Sequence, residues 1–251
     1  MSVNVAAYRQ SAAEQERTMD LLSRLPDAGG ATALDIGARD GHFSKLLAEH
    51  YGHVVALDLE KPTFEYPGVE CVKGDATGLQ FASGSFDLVF CAEVLEHIPE
   101  PGLGRACAEI ERVARDLILI GVPYKQDLRI GRTTCQACGH ANPPWGHVNS
   151  FDEAALQRSF PGCSVVSVGF VGQRRERTNA LTAGLLDYAG NPFGTYRQQE
   201  PCVYCGQGLG NPGPRSVPQR LATRLAHWSR QWAEAGARPV GNWIHMLLRK
   251  R

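Results

Sequence analysis

Short apolar runs alternate with stretches whose apolar positions recur every three to four residues over the first two-thirds of the chain. The runs at 31–36, 53–58, 69–73, 86–91, 117–122 and 163–171 read as strands, and a seventh follows at 242–248. Stretches 42–51, 102–114 and 152–160 read as helices between them. An opening helix at 12–25 has Met19, Leu21, Leu22 and Leu25 apolar and stops at Pro26-Asp27-Ala28-Gly29-Gly30. This alternation predicts an α/β fold with a doubly wound, mostly parallel seven-stranded sheet covered on both faces.

Two segments break the rhythm. Residues 124–150 and 172–241 are rich in Gly, Pro and paired Cys, with Asn-Pro and Gly-Pro turns in the second. The chain therefore reads as a core at 1–123, a first insertion at 124–150, core again at 151–171, a second insertion at 172–241 and a last core segment at 242–251. Connections this long are usually functional. Both leave the sheet after a strand, so both are expected at the carboxyl-end edge, where open α/β sheets bind ligands. Together they are expected to form a small cap.

With 43% hydrophobic and 21% charged residues, the composition excludes a disordered, collagenous or coiled-coil chain. No apolar run approaches the roughly 20 residues needed to span a bilayer, and the amino terminus has no charged-then-apolar leader. A cytoplasmic location and no membrane partner are expected. Net charge is zero, yet residues 1–120 carry 10 basic and 19 acidic side chains, and residues 121–251 carry 16 and 7. The basic half either meets an anionic group, such as a phosphate, a carboxylated glycan or nucleic acid, or presents a solvated arginine surface.

Candidate chemistry begins at Leu34-Asp35-Ile36-Gly37-Ala38-Arg39-Asp40-Gly41-His42, a strand, a glycine turn and a helix start. Gly37 and Gly41 let the backbone turn sharply and approach a ligand. The next strand ends in Asp58, 21 residues after Gly37, where a carboxylate can accept both hydroxyls of a ribose. A dinucleotide fingerprint needs glycine at 39 and a small residue at 42. Arg39 and His42 stand there instead and crowd out a pyrophosphate.

These residues resemble the class I S-adenosylmethionine-dependent methyltransferases. LDIGARDGHFSKLLA is similar to their first motif, VVALDLE to their acidic second strand, and VKGDATGLQFASGSFDLVFCAEVLEHIPEP to their third and fourth strands. The resemblance implies that Asp35, Gly37 and Gly41 frame the methionine end of the cofactor and that Asp58 holds the ribose. Asp75 with Ala76 would meet the adenine, and Glu93 would lie beside the cofactor. Arg39 stands where the family has its middle glycine.

Four of the eight cysteines form two pairs, Cys135-Gln-Ala-Cys138-Gly139 and Cys202-Val-Tyr-Cys205-Gly206, one in each insertion. This is zinc-knuckle spacing, and two knuckles complete a four-thiolate, structural zinc site with no open coordination position. Two disulfides or a redox pair are the alternatives. Cys71, Cys91, Cys107 and Cys163 read as core filler.

Methyl transfer to a hydroxyl needs a proton acceptor, and histidine suits that role near neutral pH. His147, in Trp145-Gly146-His147-Val148-Asn149, returns from the first insertion to the next helix, and related sugar and small-molecule methyltransferases commonly have a histidine there. It reads either as the base or as a structural histidine. His97, in Glu93-Val94-Leu95-Glu96-His97, matches a family motif and reads as a supporting residue. His140 reads as a spare or indirect metal partner. Tyr124, Asp127, Arg174, Arg175 and Arg177 read as acceptor contacts or as solvated loop residues.

Three functional readings follow. The first is O-methylation of a sugar in a glycan or glycosylated natural product, with a small-molecule or glycan acceptor that the basic half suits to be anionic. The second is an RNA methyltransferase whose basic zinc cap grips phosphates, supported by the arginines of 215–251. The third is a non-catalytic zinc-binding protein on the same fold.

Overall fold

The computed structural model describes residues 9–191, 201–210 and 214–251. The amino-terminal octet and parts of the Asn-Pro and Gly-Pro turns at 191–192 and 213–214 lie outside the described residues. In chain order the elements are α1 (Ala12–Ser23), β1 (Gly30–Ile36), α2 (His42–Leu47), β2 (Tyr51–Asp58), β3 (Val69–Lys73), β4 (Phe86–Ala92), α3 (Gly102–Val113) and β5 (Ala114–Pro123). They continue with β6 (Thr133–Thr134), β7 (Ala141–Asn142), α4 (Glu153–Arg158), β8 (Cys163–Val171), α5 (Ala180–Tyr188), α6 (Val217–Ala235) and β9 (Trp243–Lys250). The chain divides into two compact units. Of the described residues, a sheet unit comprises those of 9–124, 151–172 and 241–251, and an insertion unit those of 125–150 and 173–240.

Among the described residues, seven strands of the sheet unit pair in the order β3-β2-β1-β4-β5-β9-β8. The five strands β1 to β5 are parallel; β9 runs antiparallel between β5 and β8. The sheet is thus mostly parallel, as the pattern predicts. Alternate residues feed two cores: Val89, Cys91, Ile118 and Ile120 meet Ile110 of α3 and Leu156 of α4. Leu88, Phe90, Leu117 and Leu119 meet Leu21 of α1 and Phe43 and Leu47 of α2. Burial on both faces is why these strands read as unbroken apolar runs. Helix α2 ends at Leu47 rather than continuing to 51, because a turn at Ala48–His50 hands the chain to β2, where Tyr51 pairs with Gly30.

In the insertion unit, β6 and β7 form a short antiparallel hairpin around the first cysteine pair. The second insertion holds two helices that its composition does not announce. Hydrogen bonds from Asn179 and Thr182 to Ser229, and from Gln219 Nε2 to the Tyr188 carbonyl, pack α5 antiparallel against α6. The start of α6 is nonetheless encoded: Ser216 and Gln219 form a capping box, with Pro218 in the first turn. The sequence reading weighted Gly, Pro and Arg there and passed over that signal.

Candidate functional site

Parallel pairing brings the carboxyl ends of β1 to β5 to one edge. Ile36 stands beside Leu57 and Cys91, and Asp58 beside Lys73. Just past this edge, Gly37 takes φ +81° and donates its N–H to the Leu57 carbonyl at 2.8 Å. Gly41 takes φ +75° and begins α2. A Cβ on Gly37 would lie 2.4 Å from Val94 Cγ2, and one on Gly41 would lie 2.2 Å from the Phe64 ring. Both glycines are therefore demanded by positive φ and by close packing of neighbours; the space beside them belongs to protein side chains. Sequence reading found the glycines but not Val94 or Phe64.

Arg39 sits between them at φ +47°, a left-handed conformation that a non-glycine residue adopts at some cost. Its backbone N–H donates to Asp58 Oδ2 at 3.0 Å while its side chain is exposed. An arginine thus satisfies the backbone geometry of the turn. The other Asp58 oxygen accepts no hydrogen bond among the described residues, so one acceptor remains open at the edge. The Gly74 N–H bonds the Asp58 carbonyl at 2.9 Å and brings Asp75 alongside. Asp75 is exposed and accepts the Thr77 N–H at 2.8 Å, and Ala76 is buried beneath.

Asp35 lies lower, 2% exposed, and accepts a hydrogen bond from Ser44 Oγ at 2.5 Å. Burial raises its pKa to about 7 against the opposing Ser44 bond. This contact joins β1 to α2 from below, so Asp35 acts on the turn.

After β4, Glu93 takes φ +59° and donates its N–H to the Gly121 carbonyl at 2.9 Å. Burial raises its pKa, and Arg17, whose Nη1 lies 3.7 Å away, opposes the shift. Arg17 also grips Glu14 through two bonds of 2.8 and 2.9 Å. Arg9 bridges Glu14 to Asp40, the latter at 2.8 Å. A chain of alternating charges, Asp40–Arg9–Glu14–Arg17–Glu93, thereby runs from α1 to the sheet edge. Glu14 and Arg17 are buried whereas Met19 is 64% exposed. The apolar pattern of 12–25 missed this, because an opposite-charge pair three residues apart looks the same whether it faces solvent or core. Glu96 is fully buried with neither oxygen hydrogen-bonded, and burial, then the charge of Glu93, push its pKa well up. His97 is exposed at the end of the short turn that follows β4.

The insertion unit gathers Cys135, Cys138, Cys202 and Cys205 with all four sulfurs within 4.8 Å of one another. Cys135 and Cys205 Sγ are 3.7 Å apart, as are Cys138 and Cys202. A tetrahedral zinc with bonds of about 2.3 Å would have sulfur–sulfur edges of about 3.8 Å, whereas a disulfide would be about 2.05 Å. The donor set fits a metal and does not fit two disulfides. Each knuckle turns on a glycine at positive φ: Gly139 N–H bonds the Cys135 carbonyl at 2.9 Å, and Gly206 N–H the Cys202 carbonyl at 2.8 Å. The Cys138 N–H, with help from that of Ala137 and against burial, draws the Cys135 thiol down to about 7. Asn142, fully buried, accepts the Val203 N–H at 2.8 Å and ties the two knuckles. His140 stacks on Tyr204 at 4.7 Å. Of the other cysteines, Cys91, Cys107 and Cys163 are buried as expected and Cys71 is only partly so.

His147 belongs to the insertion unit, 6% exposed, with Nδ1 2.6 Å from Gln126 Oε1 and its ring 5.8 Å from that of Trp145. With Gln126 Oε1 as acceptor, Nδ1 carries the proton of this hydrogen bond. Tyr124 donates to Glu153 at 2.8 Å, and Asp127 pairs with Arg129 at 2.7 Å. Arg174 is partly buried, whereas Arg175 and Arg177 are exposed.

Residues 34–117 match the family described as a methyltransferase domain. This segment is similar to methyltransferase domains. It spans the glycine turn, Asp58, Asp75 and Glu93, and the sheet has the Rossmann-like methyltransferase fold. A ubiquinone biosynthesis O-methyltransferase of Xanthomonas oryzae pv. oryzae is 32% identical over 115 residues, covering 40% of this chain and 47% of that protein. The match thus spans about half the length of that relative. Among solved structures, a putative methyltransferase from Bacillus halodurans superposes with a TM-score of 0.56 at 15% identity, covering 92% of this chain and 97% of that one. The N-methyltransferase NodS of Bradyrhizobium japonicum, in complex with S-adenosyl-L-homocysteine, gives 0.50 at 19% identity over 67% and 84% of the two chains. No helix among the described residues is long and apolar enough to cross a membrane.

Proposed function

We propose that the protein transfers the methyl group of S-adenosylmethionine to a sugar hydroxyl in a glycan or glycosylated natural product, with a structural zinc ion joining its two cysteine pairs. The observation that carries the cofactor assignment is the open carboxylate oxygen of Asp58 beside the Gly37–Gly41 turn. Oxygen as the accepting atom is supported by the relatives that match the domain, which are O-methyltransferases by name. The sugar class rests on the resemblance of the His147 segment to sugar and small-molecule methyltransferases.

S-adenosylmethionine supplies, when bound, an activated methyl group and a thioether leaving group. The chain's own part is to bind, align and handle one proton. Asp58 accepts ribose hydroxyls while the Arg39 N–H fixes its carboxylate. Asp75 and Ala76 border the adenine position, Gly37 and Gly41 shape the methionine end, and Asp35 holds their turn. Glu93, set by Arg17, stands beside them. His147 takes the acceptor's proton at Nε2, and His97 supports it.

Asp58→Ala is expected to weaken S-adenosylhomocysteine binding by about ten- to a hundredfold, the worth of a charge-assisted hydrogen-bond pair. Isothermal titration measures it, and unchanged affinity would remove Asp58 from the site. His147→Gln keeps the ring's volume approximately and removes the base. Its kcat is expected to fall by about a hundredfold or more, with loss of the acidic limb of the pH profile and S-adenosylhomocysteine affinity retained. A profile parallel to the parent's would make His147 structural.

The acceptor class is tested by transfer of labelled methyl from S-adenosylmethionine into separated glycan, metabolite and RNA fractions. Label in glycan or sugar metabolites supports the proposal. The RNA reading is favoured by one observation: residues 125–150 and 173–240 carry twelve Lys and Arg against five Asp and Glu. Label that ribonuclease removes, with steeply salt-dependent RNA binding, would select it. Label nowhere would leave the non-catalytic reading.

A further inference from the structure

Helix α6 packs against α5 through a narrow strip of small side chains, Ala222, Thr223 and Ala226. Its opposite face is apolar and open. Val217, Leu221, Leu225, Trp228 and Trp232 are each between 53% and 71% exposed. At 100° per residue these positions fall within an arc of about 80°. Leu181 of α5, 67% exposed, widens the stripe, and the rings of Trp228 and Trp232 stand together at 6.1 Å in an edge-on pair. Two adjacent indoles held in water on an otherwise small-cored element are costly unless something covers them.

The charges beside the stripe say what covers it. Arg220 and Arg224 lie on the next strip round the helix with His227, and neither arginine pairs with a carboxylate among the described residues. Arg230, on the side toward α5, is by contrast held by Glu234 at 2.6 Å and Glu176 at 3.3 Å. On α6 the arginines left without a carboxylate are therefore those that border the apolar face, in a unit that carries a net excess of basic residues. Apolar side chains on one face, tryptophans among them, and unpaired arginines along its border fit a helix lying in a lipid headgroup layer. We infer that α6 docks the protein peripherally on an anionic lipid surface, with Trp228 and Trp232 entering the headgroup layer and Arg220 and Arg224 meeting lipid phosphates. A second copy fits less well, because antiparallel pairing of two such stripes brings both arginine borders to the same side. The sequence expectation of no membrane partner rested on spanning length, and a helix lying flat has no such requirement. The inference is independent of the acceptor and of methyl transfer.

The test is co-sedimentation of the full zinc-replete chain with vesicles of phosphatidylcholine alone and of equal parts phosphatidylcholine and phosphatidylglycerol. Binding is expected to the mixed vesicles, to weaken as salt rises, and to shift indole fluorescence to the blue. Arg220→Gln and Arg224→Gln should each weaken it by about fivefold at low salt. Trp228→Ser with Trp232→Ser should weaken it by about tenfold or more; both side chains are exposed, so circular dichroism should be unchanged. Absence of vesicle binding, or equal binding by the tryptophan variant, would overturn the inference. Concentration-dependent dimerisation that the tryptophan variant abolishes, without vesicle binding, would assign the face to a second copy.

Discussion

Stripping the metal from the four-cysteine cluster is expected to unfold the insertion unit and leave the sheet unit folded. The reason is the poverty of the insertion unit's own core. Its buried apolar side chains among the described residues are Ile130, Pro143, Pro144, Ala183, Ala189, Ala222 and Ala226 beside the cysteines themselves. The alanines bury little area, each worth about 1 kcal/mol or less, and Ile130 adds only about 1.5–3 kcal/mol, against an ordering cost of roughly 1–2 kcal/mol per residue. A structural zinc contributes about 10–16 kcal/mol of apparent binding free energy, which is folding free energy when the ligands come together only in the folded state. Mass spectrometry of the native protein is expected to find about one zinc per chain. Calorimetry with a chelator, or of Cys135→Ser with Cys202→Ser, should show the loss of one transition and retention of the other. A metal-free protein purified under reducing conditions with both transitions intact would end the zinc assignment.

The second large effect is at Asp35. Burial raises its pKa from an ordinary 3.8 to about 7. The folded state therefore holds more protons than the unfolded chain between those values, and this residue's contribution to stability falls as pH rises through the window. Three pKa units at 1.36 kcal/mol each amount to about 4 kcal/mol. Asp35→Asn keeps an oxygen to accept the Ser44 hydroxyl and removes the titration. Urea unfolding should show its stability relative to the parent improving by up to about 4 kcal/mol between pH 4 and pH 8. The difference between the two proteins is the readout, because Glu14, Asp20, Asp40 and Asp87, with lowered pKa values, favour the opposite slope in both. Parallel stability curves would show that Asp35 does not titrate in this window.

Much of the site was legible because it rests on local chemistry. A glycine turn after a strand, a carboxylate at the next strand end and two cysteine pairs are all short-range patterns, and Gly37, Asp58 and the four cysteines stand where those patterns put them within their own units. Arg39 illustrates the limit in the other direction. By the side-chain pattern it was a departure, yet its backbone N–H reaches Asp58 regardless of what side chain it carries. Three features were decided by residues far apart in the chain. Val94 and Phe64, which fill the space beside the glycines, come from segments distant in sequence. The Glu14–Arg17–Glu93 linkage depends on α1 meeting the end of β4. Helix α6 carries its own capping signals, but the exposure of its apolar face depends on what packs against it.

The sequence by itself determined the alternation of strands and helices, the parallel sheet and the residue types able to hold a nucleoside and a metal, because side-chain periodicity and turn chemistry act over a few residues. Only the tertiary structure decided which carboxylates lose water and which keep it. Asp35 and Asp58 each belong to a strand end and read alike in sequence. One is covered by α2 and titrates near neutrality, and the other keeps an oxygen free at the edge. Desolvation depends on what packs above a side chain, and what packs there is supplied by residues far along the chain.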